Sequence, residues 1–93
     1  MMSQIPIKVE KVEKKLLDRE ILRVAIIAEL DAINLYEQLA AMTDNENIKR
    51  ILLDVAKEEK THVGEFQALL LKEDMEQVEE LEKGKKEVEE ITK

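Results

Sequence analysis

The chain has 93 residues, the size of one small domain, because chains divide into several domains only beyond about 250 residues. Hydrophobic residues make up 44% of the sequence, charged residues 40% and aromatic residues 2%. This composition is more typical of a helical protein that forms oligomers than of a disordered chain. The net charge of −7 disfavours binding to nucleic acid or to a membrane surface, and the absence of cysteine excludes disulfides and thiolate metal sites.

The N-terminal segment, residues 1–18, is predicted to precede the main fold. Its apolar residues follow the 4, 3, 4 spacing of an amphipathic helix: Ile5, Val9, Val12 and Leu16. Lysines and glutamates interrupt them, so the segment lacks the apolar core of a signal peptide. Two alternatives stay open, namely one long helix that starts near residue 7 and a break near residues 17–19. No apolar run approaches the ~20 residues needed to cross a bilayer.

Two long helices, over residues 19–42 and 45–71, are predicted to form an antiparallel hairpin. Thr43, Asp44 and Asn45 supply turn chemistry between them, and Glu46 stands three residues after Thr43 as in a capping box. Apolar residues at helical spacing form a stripe on the first helix: Leu22, Ile26, Ile33 and Ala40. A second stripe follows on the other helix: Ile48, Leu52, Val55, Phe66 and Leu69.

The C-terminal residues 73–93 are predicted to form a peripheral amphipathic helix or tail. Their apolar anchors are sparse: Met75, Val78, Leu81, Val88 and Ile91. Gly84 is expected to bend or end this helix. The whole chain is therefore expected to be one all-α domain that consists of a hairpin and a short third helix.

Two glutamates and one histidine lie within the apolar stripes of the hairpin, namely Glu29 on the first helix and Glu59 and His62 on the second. An unpaired carboxylate in a protein core costs several kcal/mol, which is a large part of the roughly 5 to 15 kcal/mol that stabilises a small domain. No lysine or arginine occupies either stripe to neutralise the acids. A bound cation would solve this problem.

The spacing of Glu59 and His62 is Glu-x-x-His, which brings a carboxylate and an imidazole to one face of a helix. Alone this motif is weak, since a single helical histidine is more often a surface or hydrogen-bonded residue. Glu29, however, is expected at the same height across the hairpin. Carboxylate-bridged dinuclear centres use twice this ligand set, so a two-fold dimer is predicted to complete the site.

Tyr36 lies seven residues after Glu29 in the same stripe. It has two interpretations that stay open. It is either a core phenol with one buried hydrogen bond or a side chain that orients a metal ligand.

The segments ILRVAIIAELDAINLYEQLA and ILLDVAKEEKTHVGEFQALLL, which contain these residues, resemble encapsulated ferritins. These are the two-helix members of the ferritin-like family that are associated with encapsulin nanocompartments. The similarity is greatest to the archaeal domains that precede an encapsulin shell protein. The resemblance implies that Glu29, Glu59 and His62 are catalytic ferroxidase ligands, with Glu59 bridging the metals, and that Tyr36 is an aromatic residue beside the centre.

The same resemblance implies a homodimer that forms a four-helix bundle around two irons, with dimers arranged in a ring that is typically a decamer. Such proteins oxidise Fe(II) with oxygen and supply Fe(III) for mineral storage within a cytoplasmic encapsulin shell. Zinc, manganese or calcium are expected as substitutes for iron at the same ligands. No nucleic-acid or membrane partner is expected.

Two features depart from the relatives. The sequence KKEVEEITK does not look like a shell-docking peptide, so the chain is expected either to be a domain cut from a shell fusion or to reach its shell another way. The absence of cysteine removes the electron-donor site of rubrerythrins and makes a di-iron peroxidase the weaker alternative. A non-catalytic helical assembly module of a shell is the structural alternative.

Overall fold

A computed structural model describes residues 16–93, and the prediction for the earlier part of the N-terminal segment lies outside these residues. The described part consists of three α-helices, α1 (Leu17–Met42), α2 (Glu46–Glu73) and α3 (Met75–Ile91), and contains no strand. The all-α fold is thereby confirmed. The assignment of all 93 residues to a single domain stays a prediction. Within residues 16–93, none of the helices is both long and apolar enough to span a membrane.

The connection between α1 and α2 uses a different cap from the predicted one. Asn45 has extended backbone angles, and its side chain accepts a hydrogen bond from the backbone N–H of Ile48 at 3.0 Å. Thr43 instead ends α1, and its hydroxyl accepts the backbone N–H of Asn45 at 3.1 Å. The predicted capping box from Thr43 to Glu46 is therefore wrong. An asparagine directly before the first helical residue is the better N-cap, because its short side chain reaches the free N–H groups.

The core of the hairpin lies along the line where α1 and α2 touch. Its buried members are small or aliphatic: Ile33, Ala40, Ala56 and Leu70. Two residues of the predicted stripe on α2 are not covered, since Ile48 is 51% exposed and Leu69 is 50% exposed. They lie beside the contact line on one side of the hairpin. A single hairpin therefore covers only part of its apolar surface.

The elbow between α2 and α3 is built on Asp74. Its carboxylate caps α3 by accepting the backbone N–H of Gln77 at 3.1 Å, and its other oxygen accepts a hydrogen bond from Arg23 of α1 at 2.9 Å. The hydrogen bond from the N–H of Gln77 is the main cause of the lowered pKa of Asp74. Desolvation acts in the opposite direction, and the hydrogen bond from Arg23 lowers the pKa further. Arg19 of α1 also donates to the backbone oxygen of Glu73 at 2.8 Å. All three helices therefore meet at this elbow.

Helix α3 continues through Gly84 to Ile91, so the helix does not end at that glycine, and the alternative of a bend there stays a prediction. A glycine within a helix costs only about 1 kcal/mol relative to alanine, which the surrounding helix-forming residues can offset. None of the residues of α3 is buried. The helix therefore lies against the hairpin at its start and exposes its apolar side chains.

Candidate metal centre

Helices α1 and α2 bring the three predicted ligands together at mid-height of the hairpin. Glu29 comes from α1, while Glu59 and His62 lie one helical turn apart on α2. One oxygen of each carboxylate and one ring nitrogen of the histidine lie within 4.8 Å of one another. The structure thus places all three predicted side chains in one cluster.

Both carboxylates of this cluster point at a single nitrogen atom. Oε2 of Glu29 and Oε2 of Glu59 each lie 3.3 Å from Nδ1 of His62. A ring nitrogen carries at most one hydrogen, so it cannot make a good hydrogen bond to both acids at once. The distances also exceed the 2.7 to 2.9 Å that is typical of a hydrogen bond between two charged groups. The arrangement suits a cation between three donor atoms better than it suits a closed hydrogen-bond network.

The carboxylates are more protected from water than the histidine. The side chains of Glu29 and Glu59 are 20% and 18% exposed, whereas that of His62 is 43% exposed. Partial burial weakens the screening of their mutual repulsion by water. Because the side chain of His62 is the most exposed of the three, solvent reaches the cluster on the histidine side.

The donor set fits a divalent transition metal. Two carboxylate oxygens and one imidazole nitrogen are ligands that iron, manganese and zinc accept. Three ligands leave a tetrahedral ion one position short and an octahedral ion three positions short. The cluster of one chain therefore has the composition of half a dinuclear carboxylate centre rather than of a complete one.

The surroundings of the cluster agree in part with the sequence-based expectations. Tyr36 is half-buried on α1, about 10 Å along the helix axis from Glu29, and its role beside the centre stays a prediction. Lys60, next to Glu59, points elsewhere and pairs with Glu37 at 3.2 Å across the two helices. The ion pairs of Glu29 and Glu59 themselves are with His62.

The cluster lies within an apolar surface on one side of the hairpin, here called the cluster face. On α2, the residues spaced by seven around the histidine are Ile48, Val55, His62 and Leu69. On α1, the adjacent row steps by four and three: Ile21, Ala25, Ala28, Ala32, Leu35 and Leu39. The largest side chains of this surface are open, since Ile21 is 54% exposed and Ile48 is 51% exposed. The ligands thus lie at the centre of an apolar surface that one chain leaves open.

Sequence comparison identifies related proteins. Residues 20–93 match the family model described as rubrerythrin. The chain is 68% identical over 73 residues to a ferritin-like-encapsulin shell fusion protein of Pyrococcus furiosus, an overlap of 78% of this chain and 21% of that protein. It is also 45% identical over 69 residues to the encapsulin nanocompartment cargo protein EncC of Myxococcus xanthus, which is 71% of this chain and 53% of that protein.

A solved structure is similar over nearly the whole chain. It is the crystal structure of the encapsulated ferritin domain from Pyrococcus furiosus, with a TM-score of 0.85 and 58% sequence identity. The match covers 99% of this chain and 96% of that domain. The two curated relatives are longer, since this chain spans about a fifth of the fusion protein and about half of the cargo protein.

Proposed function

Because the chain belongs to the rubrerythrin family and is closely similar to an encapsulated ferritin domain, we propose that it is a ferroxidase. In this proposal Fe(II) is the substrate and oxygen is the electron acceptor. The observation that carries the proposal is the convergence of Glu29 and Glu59 on Nδ1 of His62 at 3.3 Å each. The ion pairs of the two acids within residues 16–93 are with His62 and not with a lysine or arginine, so the three groups form a site for a cation.

Each of the three side chains has a separate role in this proposal. The carboxylates of Glu29 and Glu59 hold Fe(II) by charge, and they favour the ferric product because hard oxygen ligands bind the more highly charged ion more tightly. His62 adds a neutral nitrogen that supports binding of the ferrous form, and its nitrogen must be free of a proton to do so. Iron supplies the one-electron chemistry that none of these side chains has.

A second copy of the chain completes the site in this proposal. The cluster face surrounds Glu29 and His62 with apolar residues, and pairing of two cluster faces about a two-fold axis would cover them. The two half-clusters would then contribute four carboxylates and two imidazoles to two irons, within a bundle of four helices. Further association of dimers into a ring, such as a decamer, belongs to the same proposal.

The proposed location follows from the relatives. One of them is by name a fusion to an encapsulin shell, and another is by name an encapsulin cargo. We therefore infer that this chain supplies Fe(III) for mineral storage inside a cytoplasmic encapsulin compartment. An open assembly of hairpins has no cavity of its own for mineral, which is consistent with a separate shell.

The test is a titration of metal-free protein with Fe(II) in the presence of oxygen, with oxygen consumption as the readout. We expect a break near about one Fe(II) per chain, equivalent to two per dimer. His62→Ala should remove the break, whereas the matched control Glu58→Gln, one residue away from Glu59 on an exposed part of α2, should keep it. Unchanged kinetics in His62→Ala would reject the site, and metal-independent assembly without a break would favour the assembly module.

A di-iron peroxidase is the second candidate, and the match to the rubrerythrin family model favours it. The same ligands would serve, but hydrogen peroxide would replace oxygen as the oxidant. Comparing the two oxidants at equal Fe(II) separates the candidates. Faster oxidation with peroxide that still depends on His62 would move the assignment to the peroxidase.

A further inference from the structure

Helix α3 carries an apolar face that the rest of residues 16–93 leaves uncovered. The face steps by three, four and three along the helix: Leu81, Gly84, Val88 and Ile91. Leu81 is 44% exposed and Val88 is 60% exposed. A Cβ at Gly84 would meet no neighbouring atom within 4 Å, so the middle of this face is open. Some other surface is needed to cover these side chains.

Acidic residues border this face on both sides. A glutamate stands directly before and directly after each of the two exposed side chains Leu81 and Val88: Glu80, Glu82, Glu87 and Glu89. Of the three lysines in the same stretch, Lys85 lies beside the face, whereas Lys83 and Lys86 lie on the opposite side of the helix. The border is therefore negative, and a partner for the face should be basic.

A complementary surface lies on α2 and is here called the outer row. It steps by four, four and three along the helix: Lys49, Leu53, Lys57 and Lys60. Leu53 is 47% exposed. It lies nine residues before His62, which is two and a half turns of the helix, so the outer row faces away from the cluster face.

The outer row is positive around its exposed leucine. Within four residues of Leu53 on either side, α2 has three basic residues, Lys49, Arg50 and Lys57, and one acid, Asp54. Further along the row, Lys60 pairs with Glu37 of α1 at 3.2 Å. An apolar side chain among bases is the counterpart of the apolar face of α3, which lies among acids.

These two surfaces of one chain cannot reach each other. Leu53 lies 21 residues before Asp74, about 31 Å from the elbow along α2, whereas Leu81 lies only seven residues beyond it, about 10 Å along α3. Helix α3 also extends away from the hairpin, because the described residues measure 47 × 43 × 20 Å and two packed helices are only about 20 Å across. Another chain is needed to bring the two surfaces together.

We propose that the apolar face of α3 docks on the outer row of α2 in a second copy of this chain. The acids that border Leu81 and Val88 then lie against the bases around Leu53, and the exposed apolar side chains of both surfaces are covered together. Two copies of α3 packed on each other would instead bring their acidic borders together. Like charges disfavour that alternative, so α2 of the second copy is the better occupant.

This contact deepens the assembly part of the proposed function, on which it rests for the dimer. Pairing of cluster faces joins two chains around the metal ligands, whereas the α3 contact uses the other side of α2. One chain can therefore make both contacts at once, and dimers can be joined to further dimers. A contact between two different surfaces closes into a ring where the rotation between copies allows it.

Charge reversal on each surface tests the docking. Glu80→Lys/Glu82→Lys reverses the border of Leu81, and Lys49→Glu/Lys57→Glu reverses the outer row. Each variant alone should raise the protein concentration at which assemblies larger than a dimer form by at least about tenfold, because like charges then face each other. Size-exclusion chromatography with light scattering measures the mass, both for metal-free protein and with about one Zn(II) per chain.

A matched control and a mixture separate this contact from a general effect of charge. Glu79→Lys/Glu90→Lys makes the same charge change on the opposite side of α3 and should leave the assembly unchanged. An equal mixture of the two reversed variants should regain it, since each reversed surface then meets an oppositely charged one. Loss in both variants with recovery in the mixture supports the proposal.

Several results would overturn the contact. These are unchanged assembly in either reversed variant, an equal loss in the control, failure of the mixture to recover, and a natural chain that stays a dimer or smaller under both metal conditions. If the lysine variant loses helix by circular dichroism, Glu80→Gln/Glu82→Gln replaces it and should still weaken assembly more than Glu79→Gln/Glu90→Gln.

Oxygen consumption with Fe(II) is measured on the same variants as a separate readout. Glu80→Lys/Glu82→Lys should keep the break that His62→Ala removes. Failure of the α3 contact would thus leave the proposed ferroxidase standing, and a missing break in the natural chain would reject the ferroxidase without touching the mass measurement.

Discussion

Glu59→Gln is expected to stabilise the metal-free protein while it abolishes the response to metal. The change keeps the shape of the side chain and removes one negative charge. The ligand oxygens of Glu29 and Glu59 are no more than 4.8 Å apart, where two like charges repel by about 1 kcal/mol in water and about 3 kcal/mol near a protein surface. His62 between them offsets part of this repulsion. We therefore expect a gain of about 1 to 2 kcal/mol in the free energy of unfolding.

Urea denaturation measures both effects. The protein concentration is kept fixed, because assembly makes the apparent stability depend on concentration. The natural chain should gain about 3 kcal/mol from metal present at a hundred times its dissociation constant, and Glu59→Gln should gain little. The control Glu58→Gln makes the same charge change on an exposed residue of α2. A loss of metal-free stability in Glu59→Gln that exceeds the control would refute the reasoning, since it would show that the acid serves the fold.

Three further outcomes follow from the structure. Asp74→Asn should flatten the acid-induced loss of stability. The lowered pKa of Asp74 makes its charged form stabilising above pH ~4, and that contribution disappears as the pH falls through the lowered value. Unfolding followed from pH 5 downwards measures this, and an unchanged slope in the variant would contradict it. Asn45→Ala should cost about 1 kcal/mol of stability through the lost cap of α2, and an equal cost from Asn47→Ala would contradict this explanation. Gly64→Ala should stabilise α2 by about 1 kcal/mol in thermal unfolding, since its Cβ would meet no atom within 4 Å, and a destabilised variant would indicate a close neighbour from another chain.

The hairpin and its candidate site could be predicted because both depend on local spacing. Helical periodicity identifies the apolar stripes, and an acid inside a stripe is conspicuous for its energetic cost. Glu29 and His62 are far apart in sequence, yet the position of the turn near Asn45 is enough to place them at one height. The structure brings them together as expected.

The elbow could not be predicted in the same way. Arg23 and Asp74 are separated by 51 residues, and neither lies in a conspicuous pattern. A local signal was present, because Asp74 precedes Gln77 by three residues, the spacing of a capping box. Its pairing with α1, however, depends on where α2 ends relative to the start of α1, which no local spacing determines.

The sequence of one chain also did not predict which residues of the apolar stripes are buried. Ile48 and Leu69 belong to the predicted stripe of α2 but are half-exposed, whereas the buried residues of that helix, Ala56 and Leu70, lie one position after stripe residues. Periodicity predicts which side chains share a face, and it does not say which neighbour covers that face. Their environment depends on contacts outside the single hairpin.

The elbow at Asp74 also determines how accurately the far end of α3 is positioned. A helix of 17 residues is about 25 Å long, so a tilt of about 10° at its base would move its tip by about 4 Å. The hydrogen bonds from Arg19 and Arg23 lie at the start of α3, where a small change in side-chain geometry causes the largest displacement of the far end of the helix. Replacement of either arginine would therefore make the position of Ile91 much more variable than that of Met75.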